Sequence, residues 1–412
     1  MSGSRNRELL DTQKKVWKQQ LSRLKKRHQQ KTALLEEHAS RPHLAPPAPS
    51  AQFTAPRSPP PEDNLLEQEI RKATIFVNVA SYRDPECPRT VADCFAKARH
   101  PGRVFVGICQ QNEPEDVDCL AFEGVKKRRR NMRVMRLQAD EAKGPVYARA
   151  LIEQNLFRDE DYYLIVDSHT LFSPAWDVNC IHQLLLCDSK KPVLTCYPPE
   201  FDITSRALPA AQLPVFLKFR GFHERLGFSE QDPARFHQHP PKPLPSLFWA
   251  GGFSFSIGEM VRDVPFDINL QYVFLGEEIS MAARLFTAGY DTFAPAVNLV
   301  FHYTPRKLAT GAPRPVFWEQ FYVRNGKCKV TSDLREQRKA LEVTSNQRLR
   351  SLLAGEQINP PIYGLGTARS LRDFEEFIGL DFAEQTSKKR ARLGLSKDAN
   401  SEERFYKHGL LS

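Results

Sequence analysis

Tyr162-Tyr163-Leu164-Ile165-Val166-Asp167-Ser168-His169 is an apolar, β-forming run that ends abruptly in an acid, a hydroxyl and an imidazole. A buried strand reads this way when its carboxyl end opens into a site, and α/β proteins bind their ligands at such ends. Asp167 and His169 lie two apart, so in an extended segment both side chains leave on one face and can grip one divalent cation. An oxygen and a nitrogen donor together suit Mn²⁺ better than Ca²⁺, and a diphosphate can fill the open positions of an octahedral ion. Taken alone, the same residues also read as a strand end whose Asp caps the following turn.

Upstream, Thr74 to Ala80 is a second buried strand, followed by Ser81-Tyr82-Arg83-Asp84 as a polar loop. Helical spacing of Val91, Phe95 and Ala98 predicts a helix over Arg89 to Ala98, and His100-Pro101-Gly102 breaks it. Val104 to Ile108 and Met132 to Leu137 read as further strands, and Gly144-Pro145 opens a helix that carries Arg149 and runs to about Phe157. Alternation of this kind, with strands apolar throughout, predicts a parallel sheet covered on both faces.

Downstream, a helix runs from the Ala175-Trp176-Asp177 turn through Leu186, and Pro192 to Tyr197 is another strand. Residues 198–247 are rich in prolines and aromatics without periodicity, as long ordered excursions walling a cleft would be. In Phe248-Trp249-Ala250-Gly251-Gly252-Phe253, two glycines between aromatics permit close backbone approach to a ligand; a simple bulge reads the same way. Gly276-Glu277-Glu278 begins a helix with both acids in its first turn, where dipole stabilisation alone would place them. Phe293 to Phe301 is predicted as one apolar strand ending in His302, which would complete an Asp, His, His ligand set if the two strand ends converge. Helices are expected over Phe317–Asn325, Ser332–Leu353 and Arg369–Ile378.

These readings divide the chain into an amphipathic basic helix (1–40), a Pro-rich linker (41–70), an α/β catalytic domain (71–314) and a helical C-terminal region (315–412). With 412 residues and 41% hydrophobic content there is material for a large core. The absence of a long apolar run argues against a membrane span and, with a charged N-terminal stretch, predicts a cytoplasmic protein. Eight cysteines without a C-x-x-C pair fit reduced, packed thiols better than zinc or a disulfide framework. The net charge of +10 is concentrated near the N-terminus and in Lys126 to Arg130. With no nucleic-acid signature beside it, that charge favours a phosphate-bearing small ligand or an acidic protein partner over nucleic acid. The N-terminal helix suits self-association or partner docking.

Five motifs in order, Val79 to Asp84, Asp167-Ser168-His169, Trp249 to Phe253, Gly276-Glu277-Glu278 and His302-Tyr303, resemble those of the Skp1-type polypeptide N-acetylglucosaminyltransferases. The resemblance spans about residues 73–310 and reaches Tyr363 to Gly366. It implies a GT-A (Rossmann-like) fold, a UDP-GlcNAc donor, Mn²⁺ or Mg²⁺, and retention of configuration. The acceptor it implies is a polypeptide hydroxyl, hydroxyproline of a Skp1-like protein in the cytosolic branch. By the same resemblance Asp167, His169 and His302 are metal ligands, and Glu277 is the better donor-sugar contact, with Glu278 the second candidate. Ser81, Tyr82 and Arg83 hold the uridine end, Arg149 faces the nucleotide, and Gly251 and Gly252 belong to the donor pocket. Two other classes fit the bare residues: a metal-dependent nucleotidyltransferase or phosphohydrolase, and a non-catalytic interaction protein of ubiquitin ligases.

Overall fold

The expected strands before residue 200 all form, and they supply five strands of an eight-stranded sheet in a computed structural model that describes residues 70–202, 208–209, 212–304, 315–318 and 331–397. The expected N-terminal helix, nearly all of the Pro-rich linker and most of Phe317–Asn325 lie outside the described residues. β1 (Ile75–Tyr82) pairs in parallel with β2 (Val104–Asn112) and β4 (Tyr162–Asp167), and β3 (Met132–Gln138) extends the parallel ladder beyond β2. Past β4 come β10 (Phe253–Ile257), β6 (Pro192–Thr195), β11 (Asp291–Ala294) and the short β9 (Leu244–Pro245), with β10 and β9 running against the rest. The mixed α/β class with a mostly parallel central sheet is therefore as expected.

Period-two alternation along the strands divides the core between the two faces. On β4, Tyr163 and Ile165 enter one hydrophobic cluster while Leu164 and Val166 enter the other. The first face is covered by α2 (Pro145–Leu156) through Val146, Ala148 and Ile152, and by α4 (Glu277–Thr287) through Ile279, Ala283 and Leu285. The second is covered by α1 (Cys87–Lys97) through Val91, Cys94 and Phe95, and by α3 (Trp176–Leu185) through Cys180, Ile181 and Leu184. Both flanks of β4 are thus sealed, and truncating a side chain such as Ile165 to Ala costs about 2–5 kcal/mol. Seven cysteines among the described residues are unpaired and buried, as small hydrophobes would be.

Three expectations are corrected. Ser81 and Tyr82 belong to β1 rather than to a loop, because Gln110 and Gln111 of β2 continue the ladder opposite them; the chain turns only at Arg83, whose φ is 48°. The single strand expected over Phe293 to Phe301 is two: Pro295 follows β11, and β12 (Val300–His302) pairs with β5 (Thr170–Phe172) in a separate ribbon. Residues 198–247 contain a hairpin, β7 (Val215–Phe222) with β8 (Ser229–Arg235). The β8 sequence, Ser-Glu-Gln-Asp-Pro-Ala-Arg, has no apolar alternation, and its ladder comes from the partner strand rather than from its own pattern.

Toward the C-terminus, α5 (Ser332–Leu353) keeps its expected bounds, with the Thr331 hydroxyl accepting the Leu334 N–H as its cap. α6 (Leu371–Ile378) opens on a Ser370/Asp373 capping box and closes on left-handed Gly379. Two-residue strands at Leu380–Asp381 and Thr386–Ser387 follow, which sequence pattern did not indicate. No helix among the described residues is long and apolar enough to cross a membrane.

Candidate active site

β4 brings Asp167 to the carboxyl end of the parallel strands, level with Ala80 of β1. The next two residues form a turn, so His169 is placed by that turn and not by the extended geometry first expected. β5 then leaves antiparallel to β12 with His302 opposite Thr170. This register sets His302 beside His169, with ring centroids 4.6 Å apart. Asp167, His169 and His302 each offer a ligand atom, and these atoms lie within 4.8 Å of one another.

The donor chemistry fits a divalent cation. His302 Nε2 stands 3.1 Å from Asp167 Oδ2, about the 3 Å that separates neighbouring ligands of an octahedral ion with bonds near 2.1 Å. His302 Nδ1 is 3.2 Å from the Thr304 hydroxyl, and His169 Nδ1 is 2.6 Å from Asp84 Oδ2. Each Nδ1 thus has its own partner, which fixes the ring orientation, and His302 Nε2 faces the Asp167 carboxylate. Burial alone would raise the Asp167 carboxyl, but hydrogen bonding and charge from His302, then Arg149 and His169, hold it below the usual carboxylate range.

Asp84 is the residue that sequence reading passed over, although it ends the Val79 to Asp84 motif. It is 5% exposed; its Oδ2 also accepts from the Ser168 hydroxyl at 2.7 Å and its Oδ1 from the Glu86 N–H at 3.0 Å. Burial works against its charge, yet His169 and these donors bring its carboxyl down to about 2. A buried, ionised acid behind a candidate ligand histidine is a strong orienting device.

Arg149 lies inward of this cluster. Its guanidinium donates to Asp167 Oδ1 at 3.1 Å, to Glu277 Oε1 at 2.5 Å and to the Gly251 carbonyl at 3.0 Å. Desolvation opposes its charge, but Glu277 and Asp167 more than compensate. An ideal Cβ at Gly251 would come within 2.8 Å of Arg149 Nη1, and one at Gly252 within 3.4 Å of Asp167 Oδ2. At Gly251 the missing Cβ thus lets the Arg149 guanidinium approach the backbone closely, whereas Gly252 leaves ordinary contact distance to Asp167. Glu277 and Glu278 open α4 after Gly276, whose φ of 92° only glycine adopts without strain. Glu277 is raised by burial against the opposing pull of Arg149, and Glu278 is pushed by burial to about 7.

The residues expected at the uridine end are arranged differently. Ser81 is fully buried with its hydroxyl 3.5 Å from the Cys119 thiol. Tyr82 meets the Phe317 ring edge-on, and Arg83 is engaged by Asp116 at 2.7 Å and Glu113 at 3.7 Å. Arg83 is thus already neutralised by acids of this chain.

The Glycosyltransferase (GlcNAc) family model matches residues 74–129 and 125–384, a span that holds every site residue named above. The chain belongs to that family. No curated protein matches it. Solved structures to which it is similar include GalNAc-T7 with UDP, GalNAc and Mn²⁺, at 15% identity over 74% of this chain and 54% of that one, with a TM-score of 0.45. Another is S. aureus TarS 1-349 in complex with UDP-GlcNAc, at 10% identity over 69% of this chain and 74% of that one, with a TM-score of 0.36. The chain spans about half the length of the GalNAc-T7 chain. In this Glycosyltransferase (GlcNAc) chain two further residues, Tyr197 and Gln231, enter the site through Glu278. Tyr197 follows β6 and Gln231 sits on the unforeseen hairpin, so neither carried a readable signal.

Proposed function

We propose that this protein transfers N-acetylglucosamine from UDP-GlcNAc to a polypeptide hydroxyl, with retention of configuration, in a reaction that needs Mn²⁺ or Mg²⁺. The observation that carries the reading is the convergence of Asp167, His169 and His302 beside Arg149 and Glu277, at the carboxyl ends of parallel strands. Family membership supports the sugar, and the motif resemblance supports retention and the hydroxyproline of a Skp1-like protein as the acceptor to test first.

A divalent cation held by Asp167, His169 and His302 would offset the negative charge that grows on the departing diphosphate. Asp84 keeps His169 in the tautomer whose Nε2 is a lone-pair donor. Arg149 holds Asp167 and Glu277 in one frame, so the ligand acid and the sugar-side acid move together. The Glu277 carboxylate orients sugar hydroxyls, and retention needs no protein base opposite the leaving group.

Screening UDP release across several UDP-sugars, with Mn²⁺ and with chelator, tests the reading. UDP-GlcNAc should be the preferred donor, chelator should stop release, and Asp167→Ala should remove it while the far-ultraviolet spectrum stays native. Full metal-dependent release by Asp167→Ala would refute the assignment, and production of UMP or pyrophosphate in place of UDP would mark a nucleotidyltransferase or phosphohydrolase.

A further inference from the structure

Glu278 stands next to the acid assigned to the donor, yet its carboxylate is committed elsewhere. Its Oε1 accepts the Gly251 N–H at 3.1 Å, and its Oε2 accepts the Gln231 side-chain amide at 3.0 Å and the Tyr197 hydroxyl. Gln231 itself reaches from β8, outside the central sheet, and donates also to the Trp249 carbonyl at 2.8 Å and the Tyr197 oxygen at 3.2 Å. Both oxygens of Glu278 are therefore taken by protein donors. Glu277 differs: its Oε1 is held by Arg149, while its Oε2 takes no hydrogen bond among the described residues.

The Gly251 peptide is clamped from two sides, its N–H by Glu278 and its carbonyl by Arg149. Arg149 in turn holds Asp167 and Glu277. A chain of contacts thus runs from the β7–β8 hairpin through Glu278 and Gly251 to the two acids. Gly251 is buried, so its N–H and carbonyl need partners in any case; here the partners are Glu278 and Arg149, which ties the turn to the same groups that hold the site's acids.

We infer that Tyr197 and Gln231 are positioning residues of the donor-sugar pocket, which hold Glu278 so that the Gly251 turn is fixed and Glu277 alone is left to meet the sugar. The inference rests on the donor reading above and assigns the doublet: Glu277 to the ligand, Glu278 to the scaffold. It makes the hairpin, which carries none of the candidate metal ligands, part of donor selection.

Two measurements on the full chain separate this inference from the reading beneath it. The first is hydrogen exchange at the Gly251 amide, without ligand, in the wild type, Tyr197→Phe and Gln231→Leu. The second is calorimetric binding of UDP and of UDP-GlcNAc in Mn²⁺. Loss of one hydrogen bond to a buried carboxylate should speed Gly251 exchange about tenfold or more. UDP affinity should stay within about twofold, while the advantage of UDP-GlcNAc over UDP falls about tenfold. Unchanged exchange in both variants overturns the inference, and so does an equal loss of UDP and UDP-GlcNAc affinity. If the wild type binds neither nucleotide, the donor reading fails, while the exchange rates still decide whether Tyr197 and Gln231 hold the turn.

Discussion

A single oxygen of Asp84 decides how His169 can act. That atom, Oδ2, faces the His169 Nδ1 and the Ser168 hydroxyl, both of which donate to it. In Asp84→Asn the oxygen that accepts from Glu86 can stay in place, and the amide nitrogen then falls where Oδ2 was. Two N–H donors would face each other unless the His169 proton moves to Nε2, the nitrogen needed for a metal. The Mn²⁺ affinity of Asp84→Asn should therefore drop about 10- to 100-fold with the fold intact. Titration of the bound metal by electron paramagnetic resonance reads this directly, and wild-type affinity in the variant would show that His169 is not oriented through Asp84.

At the scale of elements, α4 carries both acids and is seated by glycines near its two ends. Gly276 starts it in the left-handed region, where a Cβ would also meet Leu349 and Phe228 at 2.9 Å. Gly366 packs on its far end so closely that a Cβ would fall 2.4 Å from the Ala288 nitrogen, a backbone atom that cannot swing away. Gly366→Ala should cost about 1–3 kcal/mol in urea unfolding, whereas Gly102→Ala, with nothing within 4 Å, should be near neutral. Equal midpoints for the two variants would contradict this seating. How legible an element is in the sequence follows the same logic of what determines it. β1, β4, α1, α2 and α5 carry their own periodicity or caps, and the reading found them within a few residues. β5 and β8 are short or polar and are determined by their partners, so nothing local marks them, and β12 is legible only as the end of a longer apolar run. The site divides in the same way. Asp167, His169, His302 and the Glu277-Glu278 doublet stand at the ends of apolar runs or at a helix start, where pattern points to them. Asp84, Tyr197 and Gln231 matter through contacts with residues far along the chain, and sequence spacing does not record those.

Away from the site, Glu153 is a buried acid whose protonation the fold controls. Glu153 of α2 is 6% exposed, at the junction of α2, β4, α4 and the loop at Phe266. It accepts from the Tyr163 hydroxyl at 2.9 Å and from the Phe266 N–H at 2.7 Å. Burial dominates those bonds and the more distant charges of Arg284 and Arg149, and lifts its carboxyl from the ordinary 4.5 to about 8. The folded chain therefore keeps a proton that the unfolded chain releases above about pH 4.5. Since the native state binds more protons in that window, this residue makes stability fall as pH rises from about 4.5 to about 8, with no further loss beyond. Glu153→Gln removes the titration while keeping an acceptor for the Phe266 N–H. The stability of the variant relative to the wild type should accordingly grow between pH 5 and pH 8, by an amount on the order of several kcal/mol at most. Urea unfolding of both proteins across that range measures the difference, in which other titrating groups cancel. Parallel pH profiles would mean that Glu153 is ionised in the folded protein at all these pH values, and that its junction tolerates a buried charge.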